Sequence, residues 1–239
     1  MASAATFRQW TGALLLGAGF GLSAFHAMAA EPVGDETFEG GFACAPAKSE
    51  NDKAPVRCRS QINPSLPVFE FLLVWKQSDG GHALERIELR EQGKPEPFQV
   101  IENIQSDVSS HIANNGFEAI DLNFDGFLDM RVISFLPAGP NTPYQNWLWS
   151  PRHHRFVANP ALDEISSPQF DADAEEITSA WRSSAVEHGS DIYVYDEGKP
   201  VLIHREVDKW SEGGTCERSY FDRIEDDLRK TGTGPCEAE

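Results

Sequence analysis

The chain is short of positive charge: 20 Lys and Arg stand against 38 Asp and Glu in 239 residues, a formal net charge of −18. A surface of that sign repels phosphate backbones and excludes nucleic acid as a partner. Long hydrophobic runs are lacking beyond one near the amino terminus, so the mature chain is expected to carry no membrane span. Catalytic signatures are missing too. There is no G-x-S-x-G, no H-E-x-x-H and no P-loop, and Gly17 and Gly19, the start of a G-x-G pattern, fall in that terminal run. Acidic pairs say nothing about a glycosidase-type dyad in so acidic a chain, and His153-His154 reads as a solvated pair on a turn. The expectation is a protein that is not an enzyme.

The terminal run is an address. Arg8 is the one charge before residue 31, residues 10–25 are apolar apart from Thr11 and Ser23, and Ala27-Met28-Ala29 supplies the small residues of a cleavage site. A positive start, a short apolar middle and an A-x-A end make a secretory signal peptide over residues 1–29, with a periplasmic mature protein. Loss of Arg8 leaves 19 basic against 38 acidic groups, a net of −19.

Cysteine is sparse: Cys44, Cys58, Cys216 and Cys236. An even number in an exported chain implies disulfides. Proximity favours Cys44–Cys58 and Cys216–Cys236, the alternative being a staple between the two ends of the chain. Zinc is the weaker reading, because no C-x-x-C spacing occurs and no His lies near either pair.

What the sequence has in quantity is turn residues and aromatics: 19 Gly, 15 Pro, 15 Phe, 6 Trp and 4 Tyr. Residues 30–65 read as an extended arm pinned by the first disulfide, and residues 66–239 as a single all-β domain. Phe69, Phe71, Leu73 and Trp75 share one face of a period-two strand. Further strands are predicted over residues 84–90, 98–102, 117–122, 130–135, 144–149, 155–157 and 215–224. Residues 176–184, 192–195 and 201–207 form a predicted meander with Glu197-Gly198 as a turn. Ile104, Val108 and Ile112 fall at helical spacing, and Asn159-Pro160 predicts the start of one helical turn. About ten antiparallel strands with little helix describe a propeller-like or sandwich-like all-β fold.

The sharpest feature is residues 121–129, Asp121-Leu122-Asn123-Phe124-Asp125-Gly126-Phe127-Leu128-Asp129. Side-chain oxygens at loop positions 1, 3, 5 and 9, with Gly126 at the sharp turn and the Phe127 carbonyl at position 7, match the first turn of a calcium loop. Three carboxylates and an amide suit a hard divalent cation, Ca²⁺. An EF-hand would carry an acidic residue at position 12, where this chain has Val132, and the flanks are strand-like. The loop therefore joins two β-strands. The competing reading is a solvated Asp-Gly turn without metal.

Around this loop lie Gly116-Phe117, Met130 to Phe135, Tyr144-Gln145-Asn146-Trp147-Leu148-Trp149, Phe156-Val157, Asn159, Leu162, Pro168, Phe170-Asp171 and Ser179 with Arg182. That succession, over residues 115–185 and toward 206, resembles a family of exported bacterial proteins with a calcium-bearing, propeller-like all-β fold. The family's characterised members are periplasmic immunity proteins. They inhibit a lysozyme-like effector of type IV secretion and are related in structure to a periplasmic lysozyme inhibitor. The resemblance implies a non-enzymatic inhibitor of a peptidoglycan hydrolase, for which a basic enzyme is the natural partner of a −19 surface. Residues 137–144 form a candidate plugging loop, with Pro137, Gly139, Pro140, Asn141 and Tyr144 as contact residues, although Tyr144 and Trp147 also suit a core. The alternatives are a calcium-stabilised envelope module for glycans or another envelope protein and, less favoured, a hydrolase without a recognisable motif.

Overall fold

Alternation of apolar and polar residues builds almost the whole molecule. The computed structural model describes residues 42–45, 55–78, 81–107 and 116–236, all within one unit spanning Glu39–Glu239. The expected signal peptide lies outside the described residues. Three antiparallel sheets follow one another along the chain, each with its strands in sequential order.

The first sheet comprises β1 (Phe42–Cys44), β2 (Val56–Ser60), β3 (Phe69–Ser78), β4 (Gly81–Glu91) and β5 (Gln99–Glu102). The second comprises β6 (Phe117–Ile120), β7 (Asp129–Ile133), β8 (Tyr144–Ser150) and β9 (Arg155–Ala158). One helical turn, α1 (Pro160–Asp163), leads to the third sheet. That sheet holds β10 (Pro168–Asp171), β11 (Glu176–Arg182), β12 (Glu187–Asp196), β13 (Lys199–Trp210), β14 (Cys216–Ile224) and β15 (Asp227–Pro235). Each sheet is a meander of its own, with no strand exchanged between sheets.

The fold is all-β as expected, with 15 strands among the described residues where about ten were predicted. Of the additional strands, β15 is rich in polar residues and Gly, whereas β1 is only three residues long. β1 and β2 come from the segment predicted as an arm. Val56, Cys58 and Ser60 alternate inward, and β2 pairs with β3 from Val56↔Leu73 to Ser60↔Phe69. Both predicted disulfides are present. Cys44–Cys58 joins the directly paired positions of β1 and β2, and Cys216–Cys236 ties the start of β14 to the end of β15. Ile104 is buried, but in an irregular segment and not a helix. Val108 and Ile112, the other members of that predicted helix, lie outside the described residues. Asn159 caps α1 as predicted, its side chain accepting from the Leu162 N–H, with Pro160 at the first helical position.

Two cores hold the sheets together. Phe71, Leu73, Ile87 and Leu89 of the first sheet pack with Phe117, Met130, Val132 and Phe156 of the second. Each such buried side chain contributes roughly 1.5–3 kcal/mol. Leu122, Leu162, Ile165 and Ile177 form a second core that spans the second sheet, α1 and the third sheet.

Polar clasps add to these cores. The Gln99 amide donates to the Phe156 carbonyl (2.8 Å) and accepts from the Phe156 N–H (2.9 Å), serving as an extra ladder rung between the edge strands β5 and β9. Arg131, almost fully buried, pairs with Glu118 and donates to the Pro168 carbonyl (2.9 Å). Its guanidinium lies 4.2 Å from the Tyr144 ring centroid and 5.4 Å from that of Phe170. This cation–π stack joins the second sheet to the third.

Candidate metal centre

Residues 121–129 connect β6 to β7, between two strands as the sequence predicts. Ile120↔Asp129 is the last register pair before the chain leaves the ladder. Within the loop the backbone wraps around Asp121. Oδ1 accepts from the N–H groups of Asn123 (3.3 Å) and Asp125 (3.2 Å), and Oδ2 from that of Gly126 (2.8 Å). Gly126 has φ of +82° and permits the turn that this wrapping requires. Asp125 accepts from the Phe127 N–H (2.9 Å) through Oδ1 and from the Asn123 amide (3.0 Å) through Oδ2. Asn123 Oδ1 is shielded from solvent and has no partner. A buried acceptor left unpaired costs about 1–3 kcal/mol, and a cation in the loop would satisfy it.

Asp129 is fully buried and plays a second part. Its Oδ2 accepts from the Leu122 N–H (2.9 Å) and its Oδ1 from the Trp149 N–H (2.7 Å), so it locks the loop to β8. Burial pushes its pKa up to about 8 against those two hydrogen bonds, with the charges of Asp125 and Asp121 adding to the rise. Ligand oxygens of Asp121, Asp125 and Asp129 do not gather within 4.8 Å of one another. The one described trio that does, Asp208 with Cys216 and Cys236, has its sulfurs joined to each other and offers no thiolate. Asp121, Asn123 and Asp125 are oxygen donors of the kind a hard cation takes, but the Asp121 and Asp125 carboxylates are engaged by donors of the loop itself. Asp129 keeps a second lone pair on each oxygen at the loop's far end.

Four neighbours that hold the loop, Ile62, Asn63, Phe170 and Tyr195, were not predicted. The Asn63 amide donates to the Gly126 carbonyl (3.0 Å), and the Leu128 N–H donates to the Ile62 carbonyl (2.7 Å), fixing the loop to the first sheet's β2–β3 connection. Phe124, at φ of 62°, turns its ring against Phe170 and Tyr195 of the third sheet. Burial raises the Tyr195 pKa, with Asp129, Asp121 and Asp125 adding to the effect. The loop thus touches all three sheets.

The candidate contact loop over residues 137–144 is firmly braced. The Asn141 amide donates to the Arg182 carbonyl (2.7 Å) and accepts from the Arg182 N–H (2.8 Å). Ser167 donates through Oγ to the Pro140 carbonyl and accepts from the Thr142 N–H (2.8 Å). Gly139 and Pro140 are exposed. Pro137 is partly covered, the Tyr144 ring faces Arg131, and Trp147 belongs to the first core. Phe135 and Leu136, 52% and 51% exposed, stand at the loop's entry. Two large apolar residues in succession after β7 were the signal for them. His153 and His154 are exposed on the β8–β9 turn, with His153 Nδ1 bonded to Ser150 Oγ (2.9 Å).

Fold and loop together define an all-β protein of successive meanders with an oxygen-rich loop joining its middle strands. No protein family matches the chain by sequence, and no curated protein does. Among solved structures, the fold is similar to a Xanthomonas protein related to a type IV secretion system. The TM-score is 0.56 at 16% identity, over 80% of this chain and 99% of that one.

Proposed function

We propose that the protein is an exported, calcium-binding, non-enzymatic inhibitor of a lysozyme-like peptidoglycan hydrolase, of the immunity type that guards a cell against type IV secretion effectors. The observation that carries this reading is the fold's likeness, across nearly the whole of the other chain, to a type IV secretion system related protein. The oxygen-rich loop between β6 and β7 supports it. Asp121, Asn123, Asp125 and the Phe127 carbonyl would hold Ca²⁺, with Asp129 at the far end. Calcium would supply a fixed positive charge among the three carboxylates and hold the hairpin in one geometry.

The inhibitory element is the loop over residues 137–144 with Phe135 and Leu136 at its entry. Asn141 and Ser167 fix it before any partner arrives, so little conformational entropy is lost on docking. The net charge of −19 on the mature chain steers a basic enzyme toward this surface. Residues 1–29 act as the export signal, and two disulfides suit the oxidising periplasm.

The test is clearance of a peptidoglycan suspension by basic lysozyme-type enzymes, with calcium present, before and after adding the mature protein. Stoichiometric arrest, weakened by Asn141→Ala, is the expected result. Undiminished clearance at excess protein, or cleavage of wall fragments by the protein itself, overturns the reading.

A further inference from the structure

The third sheet carries a cavity remote in sequence from both loops described above. Its floor is the cross-strand row Ser179↔Asp191↔Arg205, two register pairs beyond Ile177↔Tyr193 and on the same face, where the sheet leaves the second core. The row on the other side is Trp181↔Gly189↔Val207. Gly189 is required there. A Cβ would stand 2.2 Å from the Glu206 carbonyl oxygen and 2.5 Å from Trp181 Cζ2, so the indole rests its Cζ2–Cε2 edge on the glycine backbone. Glu164, exposed on the chain leaving α1, completes the rim of a space of about 250 Å³.

The lining has an unusual balance. Asp191, 3% exposed, accepts a two-pronged pair of bonds from Arg205 Nε and Nη2 (2.6 Å each) and a third from the Tyr193 hydroxyl (3.1 Å). The guanidinium stays 35% exposed, lies 5.5 Å from the Trp181 ring centroid, and leaves Nη1 outside the pair. The wall therefore presents an aromatic ring, a held donor and the free carboxylate of Glu164. An anion entering meets Glu164 and Asp191, and a cation meets Arg205. An uncharged ligand that both donates and accepts hydrogen bonds around an apolar face suits every group. The space equals about eight water volumes at roughly 30 Å³ each, enough for one six-membered ring with its hydroxyls, and it opens to solvent.

We propose that this cavity binds a single pyranose ring of a neutral glycan. The ring's C–H face lies on Trp181, and its hydroxyls bond to Arg205 Nη1 and Glu164. Tyr193 holds Asp191, and Asp191 holds Arg205, so both act as positioning residues. None of the lining residues belongs to the loop over residues 121–129, and the site would give the protein a foothold on envelope glycan.

The test titrates the mature, disulfide-intact protein with methyl glucopyranoside and with N-acetylglucosamine, followed by the indole N–H resonances and by calorimetry. Trp181→Phe assigns the resonance. The expected result is a saturable shift of the Trp181 signal by at least one sugar. Affinity should fall at least tenfold in Trp181→Ala and about threefold in Glu164→Gln, whose exposed position leaves folding intact. If Trp181→Ala fails to fold, Glu164→Gln and Trp181→Phe decide. No shift with either sugar overturns the proposal, as does binding that both of these variants leave unchanged. Acetate shifting the same signal while sugars do not would make this an anion site and overturn it equally.

Discussion

Replacing Asp129 by alanine separates two roles that the loop combines. The side chain accepts from the buried N–H groups of Leu122 and Trp149. Each buried donor left without a partner costs about 1–3 kcal/mol, so Asp129→Ala should lose roughly 2–6 kcal/mol. The lower half of that range is favoured, because the variant also removes a carboxylate whose burial is itself unfavourable. None of this requires metal, and the loss should persist in excess chelator. Asp125 differs, since it is exposed and accepts within its own loop. Asp125→Ala should cost under about 1 kcal/mol in chelator. With calcium at 100 times the dissociation constant it should cost about 2.7 kcal/mol more, the lost ligation energy. The assay is urea unfolding of both variants with chelator and with calcium. At a slope of about 2 kcal/mol per molar, Asp129→Ala should shift the midpoint by roughly 1–3 M. Equal losses for both variants in chelator, or a loss under about 0.5 kcal/mol for Asp129→Ala, would refute the division of labour.

Other expectations are more local. The Cys44→Ser/Cys58→Ser pair opens a loop of sequence separation 14 and should lose about 3 kcal/mol in the chain-entropy model, read as a lowered melting temperature. Gly189→Ala should destabilise by about 1–3 kcal/mol or prevent folding, because the new methyl meets the Glu206 carbonyl; a melting temperature equal to the parent's would contradict the packing. The His204 pKa is raised, first by its hydrogen bond to Asp222 and then by Glu206, against partial burial. Its charge therefore stabilises the fold fully below the unfolded value of about 6.5, and that contribution fades as pH rises through the higher folded value. Thr231 bonds Asp222, and Arg218 pairs with Glu206, so these groups also face the site. His204→Gln should remove this component from a plot of melting temperature against pH as the pH rises above about 6.5. Superimposable profiles would count against it.

What the sequence made legible was what lies close together along it. The loop over residues 121–129 declares its oxygens and its glycine within one turn of chain. Glu197-Gly198 marks the β12–β13 turn by two adjacent residues with positive φ. Asn159-Pro160 announces α1 in the same local way. The clasps between sheets were hidden for the opposite reason. Gln99 meets Phe156 across 57 residues, Asn141 meets Arg182 across 41, and Arg131 meets Pro168 across 37. A polar side chain that completes a distant backbone leaves no period in the sequence. β15, rich in Gly, Thr and charge, lacks the apolar alternation that betrays a strand and is placed by pairing with β14 beside the second disulfide. The loop's spacing also could not foretell that both Asp129 oxygens are engaged by backbone N–H groups.

The central structural claim of the proposal is that residues 121–129 take a calcium ion, and calorimetric titration of the mature protein with Ca²⁺ after exhaustive chelation tests this most directly. The account predicts one ion per chain, with a dissociation constant of roughly 0.1–1 mM, and no heat of binding for Asp125→Ala. A folded protein that takes up no calcium, or an Asp125→Ala variant that binds as the parent does, would contradict it.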